Sequence, residues 1–158
     1  MEYNKINIKN IAYIGKNILY NNKKLFITLP PMNCEKGIEK YYEKYQMKLE
    51  IDDPLFLTFM KDFEENNKKH CESDAVYKSN IFIEGEKGKK YLVVKIPYRY
   101  NKYEVSIRSD RVYLPISTDV ENTKVICQVY ISNLWNFTTA DNKNMSGCLM
   151  EAKEIIIL

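Results

Sequence analysis

Between Thr123 and Phe137 the chain reads TKVICQVYISNLWNF, a run that suits an extended backbone and no helix. At period two, Val125, Cys127, Val129, Ile131, Asn133, Trp135 and Phe137 fall on one side, and Ile126, Gln128, Tyr130, Ser132, Leu134 and Asn136 on the other. The first side is almost wholly apolar and belongs in a core. On this reading Trp135 is a core residue, and Gln128 and Tyr130 are the positions that would face a ligand. A strand this long needs partners on both edges, so the rest of the chain must supply a sheet.

The flanking segments do so. Asn21-Asn22 separates two strand-like runs and predicts a hairpin, because Asn tolerates positive φ. Tyr45, Met47, Leu49 and Ile51 alternate with Gln46, Lys48 and Glu50, a second amphipathic strand. From Asn80 onward short strands recur between turn signals about every 10 residues, including a short run Val112 to Ile116. Two segments read as helical. Ile38, Tyr41, Tyr42 and Tyr45 have the spacing of two short helical turns. More firmly, Asp52-Asp53-Pro54 is a helix start, followed by the apolar stripe Leu55, Phe56, Phe59, Met60 and Phe63, which predicts a helix over about 54–66. The polar stretch Glu64 to Asp74 reads as a fraying end. The fold class that follows is mainly β with one inserted helix (α+β), a small Greek-key, OB-like antiparallel barrel in a single domain spanning 1–158.

Composition narrows the function classes. The chain has 13 Tyr but one His and five Gly, with no phosphate-binding glycine loop and no nucleophile elbow, so an enzyme is not expected. Cys34, Cys71, Cys127 and Cys148 are scattered without metal-ligand spacing, so no metal or other cofactor is expected. The first residues lack an apolar leader and no apolar run reaches ~20 residues, so the expected location is intracellular, without membrane contact.

Charge is uneven. The net charge is +3, yet the window Lys87–Arg111 holds eight cations against only Glu104 and Asp110. Here Lys89, Lys90, Lys95, Arg99, Lys102 and Arg108 alternate with Tyr91, Tyr98, Tyr100 and Tyr103, on two strands expected to pair through a turn near Asn101. Cations that track phosphates beside rings that stack on any base are what sequence-independent single-strand binding requires. The same residues also suit the solvated face of an edge hairpin.

Several segments then carry a resemblance: LFITLPPMNCEKGI (Leu25–Ile38), YQMKLEI, the helix around Phe59, YLVVKIPYRYNKYEV, VICQVYISNLWNF and a final glycine-containing strand. In this order they resemble the OB-fold single-stranded DNA-binding proteins of nucleocytoplasmic large DNA viruses, distant relatives of the podophage type. The resemblance implies non-specific single-stranded DNA binding during infection, in the host cytoplasm or nucleus. The alternative is a viral structural protein, a minor capsid or virion component, using the same domain for contacts with viral proteins or with itself.

Overall fold

The computed structural model describes residues 1–115 and 117–158. Two single 3-10 turns, Tyr3–Lys5 and Ile8–Asn10, lead into β1 (Ile11–Ile14), β2 (Asn17–Tyr20), β3 (Lys23–Thr28), β4 (Met32–Cys34), β5 (Ile38–Tyr41) and β6 (Lys44–Glu50). The helix α1 (Pro54–Lys68) precedes β7 (Val76–Lys78), β8 (Ile81–Glu84), β9 (Lys89–Ile96), β10 (Tyr98–Arg99) and β11 (Lys102–Tyr103). The chain closes with β12 (Ser106–Ser109), β13 (Val112–Leu114), β14 (Thr123–Thr138) and β15 (Asn144–Ile157). Of the expected run Val112 to Ile116, β13 is the observed part and Ile116 lies outside the described residues.

The long strand expected at Thr123 is β14, and its hairpin with β15 is the spine of the sheet. The sheet runs β1-β2-β3-β14-β15-β9-β6-β5. The free edge of β15 is taken in turn by β7 at Met145–Gly147, by β9 at Glu151 and by β12 at Glu154–Ile157, all parallel. The sheet is therefore mixed, where an antiparallel barrel was expected. It also stays open: β4 lies alongside β6, but among the described residues no ladder joins them.

Asn21 and Asn22 take φ of 50° and 61°, the left-handed pair that a two-residue hairpin needs, and β2 pairs with β3 across them. The segment read as helical turns is instead the hairpin of β5 and β6, with Tyr42 at φ 55° in its turn. Tyrosine spacing of 3 and 4 also fits alternate strand positions broken by a turn, and pairing with β9 decides between them.

Inside the curled sheet, Met47 and Leu49 of β6 face Leu92, Val94 and Ile96 of β9, and Val125, Cys127, Val129 and Ile131 of β14 complete the wall. Helix α1 packs against this core. Asp53 caps it, its Oδ1 accepting from Leu55 N at 2.9 Å, and Pro54 occupies the first turn. Phe56, Met60 and Phe63 are buried, whereas Leu55 points to solvent. The end expected to fray is tied down. Glu64 accepts from Ser79 Oγ (2.5 Å) and Asn80 N (2.9 Å), while Asn67 accepts from the Tyr13 hydroxyl (2.5 Å) and donates to that of Tyr77 (3.1 Å). Buried polar groups satisfied in this way fix the helix to β1 and to the β7–β8 connection. His70 stays exposed at the helix end, with its ring stacked on Tyr13 at 3.8 Å between centroids.

Candidate nucleic-acid interface

Alternation leaves an outward face on the sheet opposite the core. Register identifies a row across it, because partnered residues point the same way: Phe26 on β3, Tyr130 on β14, Glu151 on β15, Lys95 on β9 and Gln46 on β6. Phe26 and Tyr130 stack with centroids 4.9 Å apart and planes at 23°. Lys24 and Lys153 bring their ammonium groups to 5.8 and 5.6 Å from the Tyr130 ring. Toward the other edge, Lys48 sits 4.4 Å over the ring of Phe82, which is 42% exposed. Cations over rings hold each other in place while leaving charge for a further partner. Glu151 is buried beneath this layer and is engaged by Lys153 at 3.8 Å.

The ten residues singled out by sequence are dispersed. Lys95 stands on the outward face. Lys89 donates to Glu35 at 3.0 Å and lies 3.7 Å from Glu50. That ammonium holds the Glu35 carboxyl below the usual carboxylate range, and Glu35 in turn raises the pKa of Lys89. Tyr91 was expected to stack on a base, but the residue is only 6% exposed and its hydroxyl donates to Glu35 at 3.2 Å, so it is not offered to a ligand. Desolvation raises its pKa first, and the neighbouring Glu35 adds to this. Lys90 points to the core side of β9, opposite Ile83. Arg108 is paired with Glu154 and donates to the Asp110 carbonyl.

The other expected residues lie on a separate two-stranded ribbon. The strands thought to pair through Asn101 do not pair along their length: the chain leaves β9 at Pro97, β10 and β11 form a two-rung hairpin, and β12 goes to β15. Proline has no N–H to continue the ladder, and its carbonyl accepts instead from Glu104 N at 2.8 Å. On this ribbon Tyr98 and Tyr103 pack with Tyr45 at 4.8 and 4.9 Å and with each other at 5.3 Å, and Arg99 lies 3.7 Å from Glu104. Lys102 and Tyr100 are exposed, Tyr100 at 90%.

Sequence reasoning placed Tyr130 outward and missed Lys24, Phe26, Lys48, Phe82 and Lys153, which come from four separate strands. The signal was present in KKLFIT, where Leu25 and Ile27 turn inward and leave Lys24 and Phe26 outside. Trp135 is a correction of a different kind. The β14–β15 register slips between Ile131 and Leu134, so one extra β14 residue reverses the alternation, Leu134 becomes the core residue and Trp135 moves outward.

Among the described residues no three His, Cys, Asp or Glu side chains gather as a metal site. The cysteines are free, and burial pushes the Cys34 thiol up to about 11 and raises those of Cys127 and Cys148. A groove of about 920 Å³ between the N-terminal turns and α1 mixes Lys5, Lys9 and Lys69 with Asp62 and Glu65, a poor match to a polyanion.

No family model matches this sequence, and no curated protein matches it. Among solved structures the chain is similar to gp2.5, a single-stranded DNA binding protein encoded by bacteriophage T7. The TM-score is 0.50 over 85% of this chain and 87% of that one, at 12% identity. The two chains share a fold. At that identity the likeness concerns backbone architecture, and residue roles have to come from this chain's own surface.

Proposed function

We propose that this protein binds single-stranded DNA without sequence preference on the outward face of β3, β14, β15, β9 and β6, as an OB-like domain of the replication type used by DNA viruses. The observation that carries the reading is the Phe26–Tyr130 stack between Lys24 and Lys153, continued across the sheet by Lys95 and Lys48. The rings offer π-faces to bases of any identity, and the ammonium groups meet successive phosphates. The T7 protein of similar fold is itself named for single-stranded DNA binding. No cofactor takes part. Titration of a labelled oligothymidylate by anisotropy tests this, with the affinity expected to fall linearly in log–log against salt. Absence of binding at about 50 mM salt, or binding indifferent to salt, overturns it.

A second reading concerns the opposite end of β6 and β9, where Tyr41, Tyr42 and Tyr100 are 55, 82 and 90% exposed. These rings suit contacts with another protein or a second copy, the role of a virion component. Sedimentation of the free protein separates the two: concentration-dependent association that Tyr42→Ser with Tyr100→Ser abolishes, with no DNA binding, favours the structural role.

A further inference from the structure

Beyond the slip in register, the outward side of β14 carries Trp135 and then Phe137. Opposite them on β15 lie Gly147 and Met145, and β7 adds Lys78 and Val76 at the same levels. The indole rests directly on the sheet. A Cβ at Gly147 would fall 2.4 Å from Trp135 Cζ2, so only glycine lets the ring lie there. Trp135 is half-buried and outside the core cluster, Phe137 is 63% exposed and Val76 58% exposed. Two carboxylates near this end, Glu72 and Asp74, are turned to the other side of the hairpin, where they accept from Asn136 and Asn144, and Asp141 lies in the hairpin turn, where it accepts from Thr139. The exposed Lys78 stands on the Trp135 side.

We propose that Trp135 and Phe137 form a second stacking subsite, which takes bases of the same single strand after it leaves Tyr130. This rests on the reading of the outward face as a DNA site. Continuity supports it: Tyr130, Trp135 and Phe137 lie along one side of one strand, with Trp135 about 16 Å beyond Tyr130 at a rise of about 3.3 Å per residue. The Tyr130 stack serves short ligands, and the strand must be long enough to follow the hairpin before it covers the indole. The subsite therefore sets the length of DNA the protein occupies and ties that length to affinity.

The chain contains a single Trp, so its fluorescence reports this subsite alone. Oligothymidylates from about 4 to about 16 nucleotides, the range of sites on such folds, are titrated with anisotropy and Trp emission read together. The expected result is anisotropy saturation at both lengths, with marked Trp quenching and protection from acrylamide only for the longer oligonucleotide. Phe137→Ala, an exposed change that keeps the fold, should weaken the longer oligonucleotide about 5-fold or more and the shorter one by less than about 2-fold. Anisotropy that saturates with Trp emission and acrylamide access unchanged overturns the subsite and leaves DNA binding standing. No response in either signal overturns both.

Discussion

The outward sheet face and the β10–β11 ribbon hold the same kinds of residue and dispose of them in opposite ways. On the ribbon, Tyr98 and Tyr103 pack against Tyr45, and Arg99 is close to Glu104. On the sheet, the Phe26–Tyr130 pair is framed by lysines, and the Glu151 carboxylate beside it is buried under them. A basic, tyrosine-rich sequence is thus no guide to an available surface. On the ribbon, rings and charges close in sequence pair with one another, whereas the outward face gathers its rings and lysines from separate strands.

The sharpest way to break this contrast is to remove charge from each region in turn. Lys24→Ala with Lys95→Ala should weaken oligothymidylate binding by about 10-fold or more and lower the salt slope by about 1.4, two single-strand phosphate contacts' worth. Arg99→Ala with Lys102→Ala should change affinity by less than about 2-fold. Equal losses from both pairs would end the distinction. Next in size, Tyr130→Ala should lose about 1 to 3 kcal/mol of binding, the value of one stacked base, against almost nothing for Tyr100→Ala, both by titration at fixed salt.

Tyr91→Phe sharpens the line between a buried and an offered ring. It deletes the hydroxyl bonded to Glu35 and should lower urea stability by about 0.5 to 1.5 kcal/mol while leaving DNA affinity unchanged. The smallest effect is one of pH. Lys89 depresses the Glu35 pKa in the folded protein, so the contribution of that carboxylate is present above its unfolded value of about 4.3 and is lost as pH falls through the lower folded value. Glu35→Gln should accordingly flatten the acid limb of a thermal-stability profile below about pH 4.3, and should leave oligothymidylate binding at neutral pH unaltered.

The early legibility of β14, β6, the Asn21-Asn22 hairpin and the start of α1 has a common cause. Each is specified by near-neighbour chemistry: alternation against a core, left-handed turn residues, a capping Asp before Pro. The errors share a cause too. Ile38–Tyr45 became a hairpin because β9 was there to pair with it, and Glu64 and Asn67 became buried connectors because Ser79, Tyr13 and Tyr77 reached them. The side-chain partners of Glu64 and Asn67 lie 10 to 54 residues away along the chain, beyond the reach of local pattern.

By itself the amino-acid order determined that this chain makes a β-rich domain with one capped helix, a long central strand and Tyr130 on its polar side. Only the tertiary structure decided which cations and rings share a surface. Strand register and a one-residue bulge choose the face on which each side chain emerges. A slip of one position carries Trp135 from the expected core to the outside, and pairing between remote strands brings Phe26, Tyr130 and Lys95 into one row.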